Sequence, residues 1–459
     1  GTNSIKDTGF DVANSLRFDD GSTDYLNRTL GTPTNNKKWT YSAWLKKSSQ
    51  TDMIMFSCGA NNNDRGLIYF NNSGDLNIYG ATSGSTTYYL ATNRLFRDNS
   101  AWYNIVISYD STQATSTNRI KIYVNGVQET SLSQTTYPAE DHNSYFNSAI
   151  RHDISGRMPI SSDYLYNGYM AEVCFIDGLQ LTPTSFGEFD EDSGIWKPID
   201  VSGLTFGTNG FYLDFEDSSA LGNDANGSNN FTVNNLTAID QSVSTCTNNE
   251  ATLNPLNSTG NGTEPTYSEG NLQSVSPSSG GGFVGSSTIG VSSGKWFFEL
   301  QRSAGSSTNI YIGIGDEKQT SEIARQSASA VFIGNAVYYK PDDGNKIIVT
   351  NGSGAETSYG ATYGNGDKIG IALNMDDNQV TFYKNGASQG VISIPTPDGF
   401  CFLNIVNGAD TADTFQINFG SPPYSESGGN SDGNGYGNYS MSVPSGYFSL
   451  NTKNLAEYG

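Results

Sequence analysis

A run of acids at Glu188-Phe189-Asp190-Glu191-Asp192 is where hydrolytic chemistry would be sought. A retaining glycosidase needs two carboxyls about 5–5.5 Å apart. Alternate residues of a strand share a face, so Glu188, Asp190 and Asp192 can converge. The run leads into the turn Asp192-Ser193-Gly194, and charge runs of this kind are usually solvated, so it reads as an acidic loop. A nucleophilic triad needs histidine beside Ser or Cys. The chain has two, His142 and His152, both in polar contexts that read as surface. Asp153 stands ready to orient His152, but no Gly-x-Ser-x-Gly elbow accompanies them. No phosphate loop or dinucleotide fingerprint is present, and no enzyme is expected.

Binding chemistry has better candidates. Calcium takes six to eight oxygens, which Asp- and Asn-rich loops supply. One such set is Asp19, Asp20 and Asp24, and another is Asp214, Glu216, Asp217 and Asp224; neither follows the EF-hand spacing. Sugars are held by aromatic rings stacked on their faces and by amides or carboxylates that meet hydroxyls. Tyr88, Tyr89, Tyr145, Tyr164, Tyr166, Tyr359 and Tyr363 lie in loop-like polar contexts that suit this work, and core packing or subunit contacts are their other uses. The four cysteines, Cys58, Cys174, Cys246 and Cys401, are not spaced as metal ligands and read as small buried hydrophobes.

These residues need a scaffold of strands. Ile120, Ile122 and Val124 alternate with Lys121 and Tyr123, the pattern of a half-buried strand. Asn125-Gly126 then folds it back as a tight hairpin, because both residues tolerate positive φ. The device recurs at Val380 to Lys384 followed by Asn385-Gly386. Strong strands precede each copy, Trp102 to Tyr109 and Lys368 to Asn374. Thr182-Pro183 fits the start of one short helix. Many short apolar runs between turn residues, with 52 glycines and 12% aromatics in 459 residues, predict an all-β chain of two jelly-roll-like antiparallel β-sandwiches in tandem. The expected divisions are residues 1–246, a linker and lead-in strand at 247–282, a second sandwich at 283–424, and a Gly/Ser/Asn-rich hinge and tail at 425–459.

Twenty-four basic against 46 acidic residues leave a net charge of −22. Such a surface repels phosphate backbones and anionic lipids, so nucleic-acid partners are excluded. No apolar run is long enough for a helical membrane span.

Ser15 to Phe18, Tyr25 to Thr29, Trp39 to Trp44, Ile122 to Gly126, Tyr169 to Val173 and Phe175 to Gly178 together resemble the laminin-G-like, concanavalin A-like lectin/glucanase modules of bacteriophage virion proteins. The match extends through Leu181 to Phe189, Asn209 to Phe215 and Leu221 to Asp224, and Asn249 to Leu256 resembles a join to the next module. Ser293 to Glu299, Tyr311 to Ile314, Gly364 to Gly370, Thr381 to Gly386 and Ile417 to Gly420 resemble a SPRY domain. Pro444 to Leu455 is similar to the lead into a further module. The resemblance implies a non-enzymatic protein of the virion surface, a tail fibre, head fibre or capsid decoration, that adheres to host-surface glycans or to other virion proteins, as a homo-oligomer and by analogy with fibres a trimer. Laminin-G-like modules often hold calcium at a loop edge, which favours the aspartates above. A decoration protein without sugar binding, and a polysaccharide depolymerase, are its alternatives. The glucanase pattern wants Glu where this chain has Asp192.

Overall fold

In the computed structural model the described residues are 9–59, 61–157, 163–257, 259–260, 265–277, 283–320, 332–407 and 412–459. They form two compact units that divide after Thr247. Each is a β-sandwich, and the described residues are β-strands and loops apart from single-turn helices and one terminal helix.

In the first unit, one sheet runs in the order Val127–Gln128, Ile120–Val124, Trp102–Asp110, Lys38–Lys47, Gly168–Asp177, Ser15–Phe18, Gln241–Ser242. The facing sheet runs Leu132–Thr136, Ser85–Leu95, Asp75–Thr82, Arg65–Phe70, Met53–Gly59, Arg151–Ile154, Tyr25–Thr29, Thr232–Asn234. Period-2 alternation builds the core between them. Along Lys38–Lys47, Trp39, Tyr41, Ala43 and Leu45 enter it, while Trp44 joins a small cluster with Trp196 on the outer side.

The second unit pairs Phe283–Ser286, Cys401–Asn407, Ile310–Asp316, Ala336–Tyr339, Asn345–Thr350 and Ser353–Ser358 in one sheet. The other contains Gln273–Val275, Thr414–Asn418, Lys295–Ala304, Lys368–Asn374, Gln379–Lys384 and Ala387–Ser393. The stretch after Thr247 is part of this unit, and Ala251 and Leu253 are buried in its core.

Both Asn-Gly turns form as expected, with φ +47° and +79° at Asn125 and Gly126, and +48° and +85° at Asn385 and Gly386. Each asparagine also ties to the preceding strand. The Asn125 side chain accepts from Asn104 N–H at 2.8 Å, and Asn125 N–H donates to Asn104 C=O. Asn385 does the same with Lys368.

Two expectations are corrected. The helix at Thr182-Pro183 is one 3-10 turn, Pro183–Ser185, and the Thr182 side chain makes no capping hydrogen bond. With no cap and a strand resuming at Gly187, nothing propagates the turn. The Gly/Ser/Asn-rich stretch from 425 is a packed loop system over its described length. Tyr439 and Met441 are buried on the outer face of the Lys295–Ala304 sheet beside Phe297. Asp432 accepts backbone N–H bonds from Asn434, Tyr436 and Ser449, which closes the loop. The tail then adds a strand at Phe448–Ser449 and the helix Thr452–Tyr458, capped by Asn451.

Candidate functional site: a groove on the first module

The pleat of Arg65–Phe70 sends Ile68 and Phe70 into the core and turns Arg65, Leu67 and Tyr69 to the outer face. Across the sheet, Tyr69 opposes Asn77, Leu67 opposes Tyr79, and Tyr79 opposes Tyr89. The Tyr79 and Tyr89 rings meet edge-on with centroids 5.8 Å apart, and the Tyr89 hydroxyl donates to Asn77 Oδ1 at 3.0 Å. The outer face thus carries a fixed aromatic and amide row.

At one end of this face, strand and loop residues border two open hollows of about 430 Å³ each. Asp20, Gln50 and Thr51 line the first, and Ile54, Arg65, Tyr69, Asn71 and Arg157 line the second. Asp52, Asn72 and Tyr164 line both. Hydrogen bonds hold the polar lining in place. Asp52 Oδ1 accepts from Asn72 N–H at 2.8 Å. Gln50 donates to Asn99 Oδ1 and Arg97 C=O, and its carbonyl accepts from Lys47 Nζ. Asn167 donates to Asp20 Oδ1 at 2.8 Å.

Tyr164 is the projecting aromatic of the groove, 45% exposed. Its φ is +64°, a left-handed conformation costly for a side chain of this size. Its carbonyl accepts from Ile54 N–H at 2.8 Å, which pins the strained residue to the sheet. The Arg157 guanidinium lies over its ring at 5.4 Å from the centroid, and Arg65 lies over Tyr79 at the same distance. Burial holds the Lys47 ammonium down to about 8 and the Asp24 carboxyl up to about 6. Partial burial and the adjacent Asp19 push the Asp20 carboxyl up.

The tyrosines expected in polar loops are dispersed. Tyr164 and Tyr89 lie on the outer face of the module. Tyr145 is half-buried, and its hydroxyl donates to Asp64 Oδ1 at 2.8 Å. Tyr359 is half-buried in the second unit, its hydroxyl on Gly390 C=O. Tyr88, Tyr166 and Tyr363 are corrections. They are 1%, 0% and 5% exposed, so no ligand stacks on them. Tyr88 follows the inward half of the strand period that sends Tyr89 outward. Tyr166 and Tyr363 use their hydroxyls on Lys46 C=O and Tyr339 C=O. Asp52, Arg65, Tyr69 and Arg157 were missed. The large outward-phase residues of Arg65–Phe70 signalled Arg65 and Tyr69, and nothing local signalled Asp52 or Arg157.

The calcium candidates do not assemble into a ligand set. Asp24 Oδ2 accepts from Asp19 N–H, and Asp19 Oδ1 accepts from Gly21 N–H. Asp24 Oδ1 is buried without a partner, one oxygen where calcium needs six or more. Asp224 receives N–H bonds from Tyr212 and Asn229, Asp214 from Glu216, and Asp217 from Ser219. Glu216 is exposed beside them. Carboxylates facing backbone donors organise turns and do not fit a cation. Among the described residues no group of three or more His, Cys, Asp or Glu stands in a metal-holding arrangement.

Glu188 and Asp190 do converge, but on Lys197, whose Nζ is 3.4 and 3.5 Å from them. Asp190 also accepts from Ser193 N–H and hydroxyl, which lower its carboxyl. The histidines expected at the surface are another correction. His152 is fully buried against Phe56 and Phe146, and burial holds its imidazole down to about 4. Asp153 pairs with Arg151 instead, at 2.7 Å. His142 is half-buried, Nδ1 on the Tyr109 hydroxyl. All four cysteines are free thiols, and Cys246 is partly exposed.

Residues 20–183 match the family model described as the concanavalin A-like lectin/glucanases superfamily, and residues 295–421 match the SPRY domain. The chain therefore carries a lectin/glucanase-like module followed by a SPRY module. Among solved structures, the SPRY domain of human HERC1 is 15% identical with TM-score 0.29, covering 36% of this chain and 96% of its own. The heptameric SAP-like pentraxin of Limulus polyphemus is 17% identical with TM-score 0.28, covering 38% and 80%. A Bacteroides ovatus protein provisionally described as carbohydrate binding is 17% identical with TM-score 0.35, covering 49% and 59%. No curated protein matches the chain.

Proposed function

We propose that this is a non-enzymatic adhesion protein whose first module binds a saccharide in the groove around Tyr164. The observation that carries the reading is Tyr164 itself. A large aromatic is held at φ +64°, 45% exposed, between two hollows lined by Asp, Asn and Gln groups. Backbone strain and an exposed ring both oppose stability, and a ligand that stacks on the ring accounts for their retention. The lectin/glucanase-like module supports the same use. Calorimetric titration with oligosaccharides that score on a glycan array tests it, using the full chain and Tyr164→Ala. Loss of binding by about 10-fold or more on ring removal is expected. Equal affinity of the two proteins for every sugar that binds overturns the groove assignment.

We infer the setting from the ordered resemblance of both halves to phage virion modules. The protein is displayed on a virion surface as a fibre or decoration, with the SPRY module contacting other virion proteins and the subunits forming a homo-oligomer, a trimer. Cryo-electron microscopy of particles tests this placement; absence of the chain from purified particles overturns it. Release of reducing ends from a host polysaccharide by the purified protein would make it a depolymerase instead.

A further inference from the structure

We propose that the second hollow selects an anionic saccharide, gripping a carboxylate or sulfate substituent between the guanidinium groups of Arg65 and Arg157. This rests on the saccharide reading above. The two arginines come from a strand and from a loop 92 positions later in the chain, yet both donate to one atom, Asn62 Oδ1, at 2.8 and 3.1 Å. Two positive charges are thus held against a single neutral acceptor. Each guanidinium also lies over a tyrosine ring at 5.4 Å from the centroid, Arg65 over Tyr79 and Arg157 over Tyr164. These contacts and the shared acceptor remove much of the side-chain freedom that an anion would otherwise have to freeze out.

Charge matching is left incomplete. In a chain with almost twice as many acids as bases, Arg17, Arg94, Arg119, Arg151 and Arg302 each meet a carboxylate. Among the described residues neither Arg65 nor Arg157 forms an ion pair, and Nε of each is buried without a hydrogen-bond partner. A guanidinium fork matches a planar or tetrahedral oxyanion through paired N–H···O bonds. Asp52 lines the same hollow, but its carboxylate accepts from Asn72 N–H and neutralises neither arginine. It stands at the part shared with the other hollow, where neutral hydroxyls of the sugar would meet it. Tyr164 borders both hollows, so a ring stacked there can place its charged substituent toward Arg157.

The test is calorimetric titration of the full chain with three probes: oligogalacturonate, its carboxyl-reduced neutral form, and a sulfated galactan oligosaccharide. Tighter binding of one charged probe than of the neutral one, by about 10-fold or more, is expected, the worth of one charge-assisted hydrogen bond. Whether the carboxylate or the sulfate probe shows the preference identifies the anion. The preference shrinks as salt rises. Within Arg65→Gln/Arg157→Gln the ratio of charged to neutral affinity falls to less than about 3-fold, whatever the neutral affinity of that variant. The salt series needs no variant, so a misfolded double variant does not block the test. Equal affinity for charged and neutral probes, a preference indifferent to salt, or one retained by the folded double variant overturns the anion clamp and leaves saccharide binding standing. No binding of any probe, and none on an array, overturns both.

Discussion

Glu172 makes the stability of the first module fall as pH rises through neutrality. It sits in the bulge of Gly168–Asp177, where φ is +51°, and is 6% exposed. Burial drives its carboxyl up to about 8 from 4.5, the Tyr212 hydroxyl at 2.7 Å opposes this, and Asp214 and Glu216 add to it. Between those two values the folded protein keeps a proton that the unfolded chain has released. Protons favour the folded state there, so stability is highest below pH 4.5 for this group and is lost as pH rises to 8. The slope is about 1.4 kcal/mol per pH unit and falls to half of that at pH 8, hence about 2 kcal/mol between pH 6 and 8. That window avoids most of the contribution of Asp24 and Asp153, which burial raises only to about 6. Urea unfolding followed by tryptophan fluorescence reads it, because Trp39, Trp44, Trp102 and Trp196 report on this module and only Trp296 on the other. Glu172→Gln keeps the volume and an acceptor for Tyr212 and cannot ionise. Relative to the parent it should gain about 2 kcal/mol from pH 6 to 8, because His152, held down to about 4, and the other groups that titrate in this window act equally in both proteins. An amide left short of partners lowers the variant equally at all pH values and leaves the slope argument intact. A parent curve flat over this window, or a variant with the parent's slope, refutes the reasoning.

Gly126→Ala and Gly386→Ala should differ although the turns match. A Cβ at 126 falls 2.3 Å from the Trp196 ring, whereas at 386 the nearest atom is Met441 Cβ at 3.9 Å. About 2–4 kcal/mol is expected for the first, from left-handed strain plus overpacking, and about 1–2 for the second, from strain alone, by urea unfolding. Tyr164→Gly should leave stability unchanged or raise it by up to about 1 kcal/mol by relieving φ +64°, while removing the stacking surface. A thermal melt and a sugar titration on one preparation check both halves. Asp432→Ala frees three backbone N–H groups and the Asn454 amide, so the loop it closes should lose hydrogen-exchange protection first, with a cost of about 3 kcal/mol to the second module.

The scaffold was legible because strand period and turn chemistry are local. The alternation at Ile120, Ile122 and Val124, and the Asn-Gly pairs, needed no distant partner to be read. Composition misled at 425–444, where glycine and asparagine suggested a hinge. One tyrosine and one methionine on an open sheet face, with Asp432 collecting backbone donors, suffice to order such a segment. His152 misled because its neighbours in sequence are polar while its neighbours in space, Phe56 and Phe146, are not.

For the site, sequence supplied Tyr164 as one of seven tyrosines and had no means of ranking it. Residue type and period alone determined that the chain is two antiparallel sandwiches hinged on two Asn-Gly turns, because those preferences act over a few residues. The tertiary structure decided which tyrosines face out, that the aspartates of the opening loop meet backbone donors, and that Arg65 and Arg157 share one oxygen. Those outcomes depend on which strands become neighbours, and strand order is set by packing of the whole core, which no short stretch encodes.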